Sequence, residues 1–202
     1  MRATVKGGEA GACGHAALRR LLYEITETES SKLHAQLIHA GVARYPNAVV
    51  RVMDTNANVS RTVFNCVMYA FDWVDCAEPN VVGTGPQQYR FLIDTVFMEK
   101  VISQQLIIET PAALANTTDL VVYFDGLQLR HVAKIMSEST CASKWGVGHL
   151  YEHGLWDVPE TYGNQVKYFK VPDRAALEQF LLAQIPCIHL TATPQPPLLI
   201  SQ

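Results

Sequence analysis

The sequence predicts an α+β fold: N-terminal helices, then a cysteine-bearing core helix packed on an antiparallel β-sheet. Three observations lead there. Apolar residues recur at helical spacing early in the chain, at Ala16, Leu18, Leu21, Leu22 and Ile25. After Pro111 the texture changes to short apolar runs separated by turn residues. The order is helices, then several strands, then one helix, which is the order of a segregated sheet and not of alternating βαβ units. The 202 residues suit one domain with a sizeable core. Within it the sequence divides into a small-residue N-terminus (1–12), a helical extension (13–58), a core (59–171) and a C-terminal helix with a Pro-rich tail (172–202).

The elements follow in order. A first helix runs from Ala12 to Ile25. The polar stretch TETESS breaks it and caps a second helix, about Ser31–Arg44, with Leu33, Leu37 and Ile38 on one face. Tyr45-Pro46-Asn47 reads as a turn and Ala48–Met53 as a short strand. The polar segment DTNANVSRT leads into NCVMYAFDWV, which is apolar on nearly every side and reads as a buried helix capped by Asn65 or Ser60. Glu78–Gln87 is a loop, and Gln87–Gln104 a helix turning Phe91, Val96, Phe97 and Val101 inward. Leu120–Phe124 and Leu129–Met136 are strands around the hairpin turn Asp125-Gly126. Ala142–Trp145, His149–His153 and Gln165–Val171 are further strands. Asp173 caps a last helix, Arg174–Gln184.

Bulk properties narrow the function. Apolar residues make up 49% and charged residues 17%, a folded and not a disordered composition. The net charge of −3, with scattered basic residues, argues against a nucleic-acid partner. Neither a secretory h-region nor an apolar run approaching ~20 residues is present, so the expectation is a cytoplasmic protein with no membrane partner. Export by a signal-independent route stays open. The five cysteines are odd in number and widely spaced, which fits free thiols better than a disulfide framework.

Two residues carry the candidate chemistry. Cys66 opens the apolar helix, where unpaired backbone N–H groups favour a thiolate, the reactive form. The competing reading is a small core residue. His131 lies in the strand LRHVAKI, and a neutral imidazole beside a thiol can take its proton and return it to a leaving group. A half-exposed strand histidine is the plainer reading of it. A third group would orient the imidazole: Ser143 on the following strand is the candidate, with His149 and His153 as alternatives. Cys141, His149 and His153 also form a weak zinc pattern, but glycines interrupt any helix there and no Cys-x-x-Cys pair exists, so neither metal nor cofactor is expected. The aromatic cluster of Trp145, Tyr151, Trp156, Tyr162, Tyr168 and Phe169 reads as a core layer or a groove lining. Glu152 and Asp157 read as solvated charges.

The stretches NCVMYAF, LVVYFDGLQLRHVAKIM and SKWGVGHLYEHGLWDVPETYGNQVKYF together resemble papain-like cysteine hydrolases of the NlpC/P60 type and a related bacterial family. That family combines an Asn-Cys helix start, a strand histidine and a Ser-Lys-x-Gly segment. The resemblance covers about Val59–Lys170. Where NlpC/P60 domains carry His-Val-Gly-Ile, this chain has His131-Val132-Ala133-Lys134. The resemblance implies an amide-cleaving enzyme (peptidase, amidase or deamidase) acting on a peptide or protein, compatible with a bacterial effector or toxin, with Cys66, His131 and Ser143 in the catalytic roles. The alternative is an inactive papain-like binding module or a component of a larger assembly.

Overall fold

A computed structural model describes residues 9–28, 30–53, 64–73, 94–146 and 148–184. The stretch DTNANVSRT with Ser60, the loop Glu78–Gln87, Phe91 and the Pro-rich tail lie outside the described residues. The chain is α+β. Helices α1 (Glu9–Thr28) and α2 (Ser31–Val42) precede strand β1 (Val50–Val52). Helix α3 (Cys66–Ala70) and helix α4 (Thr95–Ser103) follow. Then come β2 (Ile108–Thr110), β3 (Leu120–Asp125), β4 (Gln128–Ile135), β5 (Thr140–Lys144), β6 (Leu150–Gly154), β7 (Gln165–Lys170) and helix α5 (Arg174–Gln184). The strands form one open, wholly antiparallel seven-stranded sheet in the order β1-β6-β5-β4-β3-β7-β2.

Each face of the sheet has its own core. On the first face Leu120, Val122, Leu129, Val132 and Phe169 meet Val67 and Met68 of α3, Phe97, Met98 and Val101 of α4, and Leu177 and Leu181 of α5. On the second face Val121, Tyr123, Ala133, Ile135, Cys141, Trp145 and Tyr151 meet Leu18, Leu22 and Ile25 of α1 and Ile38 of α2. The N-terminal helices therefore close one side of the sheet, with β1 extending its edge beside β6. Arg19 fastens α1 to the far end of the chain: its guanidinium donates to the carbonyls of Val158 at 3.3 Å, Glu160 at 3.3 Å and Gly163.

Several elements depart from expectation for local reasons. The cysteine helix is a single turn that ends at Ala70, because Asp72 takes a left-handed φ of 58°. The turn closes as a Schellman motif, with Trp73 N–H on Met68 O at 2.8 Å and Asp72 N–H on Tyr69 O at 3.1 Å. The same motif ends α4: Gln105 has φ 56°, and Leu106 N–H reaches Val101 O at 3.1 Å. Val96 and Leu33, expected inward, are 53% and 45% exposed. Each sits on the flank of a helix whose buried stripe is narrower than its apolar sequence. Strand β2 has no alternating signature; it exists by pairing with β7 at the sheet edge.

A bulge decides which face His131 occupies. β3 and β4 pair from Leu120–Lys134 to Tyr123–His131, then slip so that Phe124 faces Leu129. Arg130 is the extra residue, and beyond it the faces exchange. Leu129 and Val132 both belong to the first core, three positions apart. His131 falls to the second face, among Tyr123 and Tyr162.

Candidate functional site: a seam between two strands

Cys66 is positioned by its neighbour. Asn65 Oδ1 accepts the Met68 N–H at 2.9 Å, a well-formed N-cap that fixes where α3 begins. The Cys66 thiol is free and half-buried. Burial pushes its acidity away from the thiolate, and backbone hydrogen bonding from Val132, Val67 and Cys66 itself only partly offsets that. The expected thiolate-favouring helix start is thus outweighed by desolvation, since one turn of helix offers few aligned amides. Val132 is the residue after His131, so the thiol lies against the strand that carries the imidazole.

That contact exists because the sheet opens there. β4 and β5 pair only at Lys134–Ala142 and Ile135–Cys141. Past Lys134 the two strands part, and the Val132 backbone turns to the sulfur. The seam brings the thiol to the backbone of the strand, but no hydrogen bond joins the Cys66 and His131 side chains, and His131 Nε2 is without a partner. Cys66 packs with the first core; His131 is buried on the second.

His131 lies flat on Tyr162, with ring centroids 3.8 Å apart and planes at 17°. Its Nε2 is buried and has no hydrogen-bond partner. Burial, and then the charge His153 would carry, hold its pKa well below the usual imidazole range, so it is a neutral base. Tyr162 is the group common to both sides. Its hydroxyl is held far above the ordinary phenol range, first by burial and then by the charges that Cys66 and Glu27 would carry; Gly146 backbone hydrogen bonding offsets part of this. The turn that delivers Tyr162 depends on Gly163, which has φ 104° and presses against the Phe124 carbonyl. No side chain fits that space.

Ser143 is fully buried and committed elsewhere. Its Oγ accepts from Trp145 Nε1 at 3.0 Å and lies 2.8 Å from His153 Nε2. His153 Nδ1 lies 2.9 Å from the Gly154 carbonyl. One assignment satisfies every atom: Nδ1–H donates to Gly154 O, and the Ser143 hydroxyl donates to Nε2. Ser143 therefore orients His153, and His153 stands behind His131. His149 is buried against the ring of Tyr151. Among the described residues no group of three His, Cys, Asp or Glu side chains is placed to hold a metal ion. No described helix is long and apolar enough to cross a membrane.

Sequence reasoning missed Tyr162 as a partner of His131. Its one local signal was Tyr162-Gly163, a glycine directly after an aromatic residue. Asp157 was misread as well. It is 3% exposed, not a solvated charge, because Gly154 leaves room for its carboxylate. Glu152 pairs with Arg51 at 3.3 Å on the surface. No known protein family, curated protein or solved structure matches this chain.

Proposed function

We propose that the chain is a papain-like cysteine hydrolase that cleaves an amide bond in a peptide or protein, by peptidase, amidase or deamidase chemistry. The observation that carries this reading is the seam. A thiol at a capped helix start rests on the backbone of Val132, and the preceding residue offers a buried imidazole with an unused Nε2. Cys66 transfers its proton to His131 and its sulfur attacks the carbonyl carbon. The carbon–nitrogen bond breaks as His131 returns the proton to the departing amine. Water then cleaves the thioester, releasing a carboxylic acid and restoring the thiol. Ser143 acts at one remove, holding His153 beside His131. A reducing compartment suits this chemistry, because Cys66 and Cys141 are both free thiols.

A second reading has its own support. Burial disfavours the Cys66 thiolate and Tyr162 covers one face of His131, as in a module that binds without catalysis. Thiol labelling separates the two. Iodoacetamide at neutral pH, read by peptide mass spectrometry, should modify Cys66 far faster than Cys141, whose burial pushes its pKa up to about 12. The Cys66 rate should fall in His131→Ala. Equal labelling of both thiols, unaffected by His131→Ala, would leave only the binding module.

A further inference from the structure

A cavity lies beside the N-terminal half of α1. Gly14, His15 and Leu18 of that helix, with Arg44, Tyr45, Pro46 and Ala48 of the chain between α2 and β1, enclose a cavity of about 380 Å³. Asp157 forms part of its wall. The carboxylate is almost wholly buried, yet only half of it is used. Oδ2 accepts the Val49 N–H at 2.8 Å. Oδ1 has no hydrogen-bond partner, and His15 Nδ1 stands 3.5 Å from it on a side chain that is 54% exposed.

We propose that this cavity binds a small organic monocation, an ammonium or amidinium on a flat apolar body, whose cationic head takes the place of the half-exposed His15 ring against the otherwise covered Asp157 Oδ1. A buried carboxylate oxygen lacking a donor is costly, and a cationic N–H donor is the group that relieves the cost. Burial raises the Asp157 pKa despite the Val49 N–H and His15, so no internal group fully compensates it. Leu18, Tyr45 and Pro46 supply apolar walls for the ligand body. Arg44 lines the same cavity and disfavours a second positive charge on the ligand. Gly14 adds an independent sign. It sits inside α1, where glycine is a poor helix former, and a Cβ built on it meets nothing within 4 Å. That emptiness widens the cavity. The inference does not depend on the amide-cleaving reading, whose residues lie at the β4–β5 seam.

The test is titration of the full-length protein with benzamidine and with phenethylamine, followed by calorimetry and NMR, with benzoate as the anionic control. Saturable binding of both cations is expected, with none of benzoate. Asp157→Asn, checked for an unchanged melting temperature, should weaken binding by about tenfold or more, the loss of one charge-assisted hydrogen bond. If Asp157→Asn fails to fold, Gly14→Leu decides, because Gly14 lines the cavity and a Cβ there meets nothing within 4 Å; it should weaken binding as strongly. Absence of saturable cation binding, equal binding of benzoate, or unchanged affinity in the folded variant would overturn the proposal.

Discussion

The two faces of the sheet are held together differently. The first face is a conventional apolar core, and its two buried lysines have local partners. Lys134 Nζ bonds Asp72 and lies 5.2 Å from the Tyr69 ring centroid. Lys144 Nζ bonds the Gly148 carbonyl and lies 5.2 Å from that of Phe64. The second face buries a polar network in series: Trp145 to Ser143, Ser143 to His153, His153 to Gly154. Apolar contacts there are also aromatic, with Trp145 stacked on Tyr151 at 4.3 Å. An apolar core degrades by volume, one methylene at a time. A serial network fails by stranding whatever remains. The second face is thus the less forgiving, and the candidate base is built on it.

Acid should expose this difference most. Burial pushes the His153 pKa down to about 4 and holds His131 well below its usual range. Unfolded, each titrates near 6.5. Between those values the unfolded chain binds more protons, so stability is full above about pH 6.5 and falls as pH drops. For His153 alone the loss is roughly 3 kcal/mol by pH 4, at about 1.4 kcal/mol per unit of pKa shift. Urea unfolding across that range should show the decline, and His153→Gln should flatten it. A profile that stays level in the wild type would mean that the histidines are not buried as neutral groups.

Adjacent residues on β5 sharpen the comparison. Ser143→Ala leaves His153 Nε2 and Trp145 Nε1 without partners and should cost about 1–3 kcal/mol. Ala142 points the other way, opposite Lys134 on the first face. Ala142→Ser places a hydroxyl between its cross-strand neighbours Lys134 and Glu152, and should cost less than Ser143→Ala, about 1 kcal/mol or below. Combining the two should be close to additive, since each acts on its own core. Strong coupling in the double variant would show that the faces are not separate.

The smallest effect belongs to the surface end of the first face. Asp72 ties Lys134 to Arg174, with Arg174 Nη1 at 2.9 Å, but its side chain is about half exposed. Asp72→Asn keeps a residue that tolerates a left-handed φ and should cost less than about 1 kcal/mol. Thermal melting that shifts as far as for Ser143→Ala would place the weak point on the first face instead.

Local signals in the chain proved legible where one residue decides the outcome. Asn65 caps α3 and Asp173 caps α5, whose span Arg174–Gln184 was readable in full. Gly126 turns the β3–β4 hairpin with φ 60°. The α+β class followed from the same pattern. The length of α3 was not legible, because nothing in NCVMYAFDWV announces that Asp72 leaves the helix.

By itself, then, the sequence determined the class of fold, the hairpin that carries His131 and the capped turn that presents Cys66. Only the tertiary structure decided where these lie relative to one another. Period-two alternation puts Leu129 and His131 on one face; a single extra residue at Arg130 sends them to opposite faces. The parting of β4 and β5 after Lys134 then opens the seam through which the thiol reaches the strand of the imidazole. Pairing register and strand separation depend on backbones distant in sequence, and no local propensity encodes them.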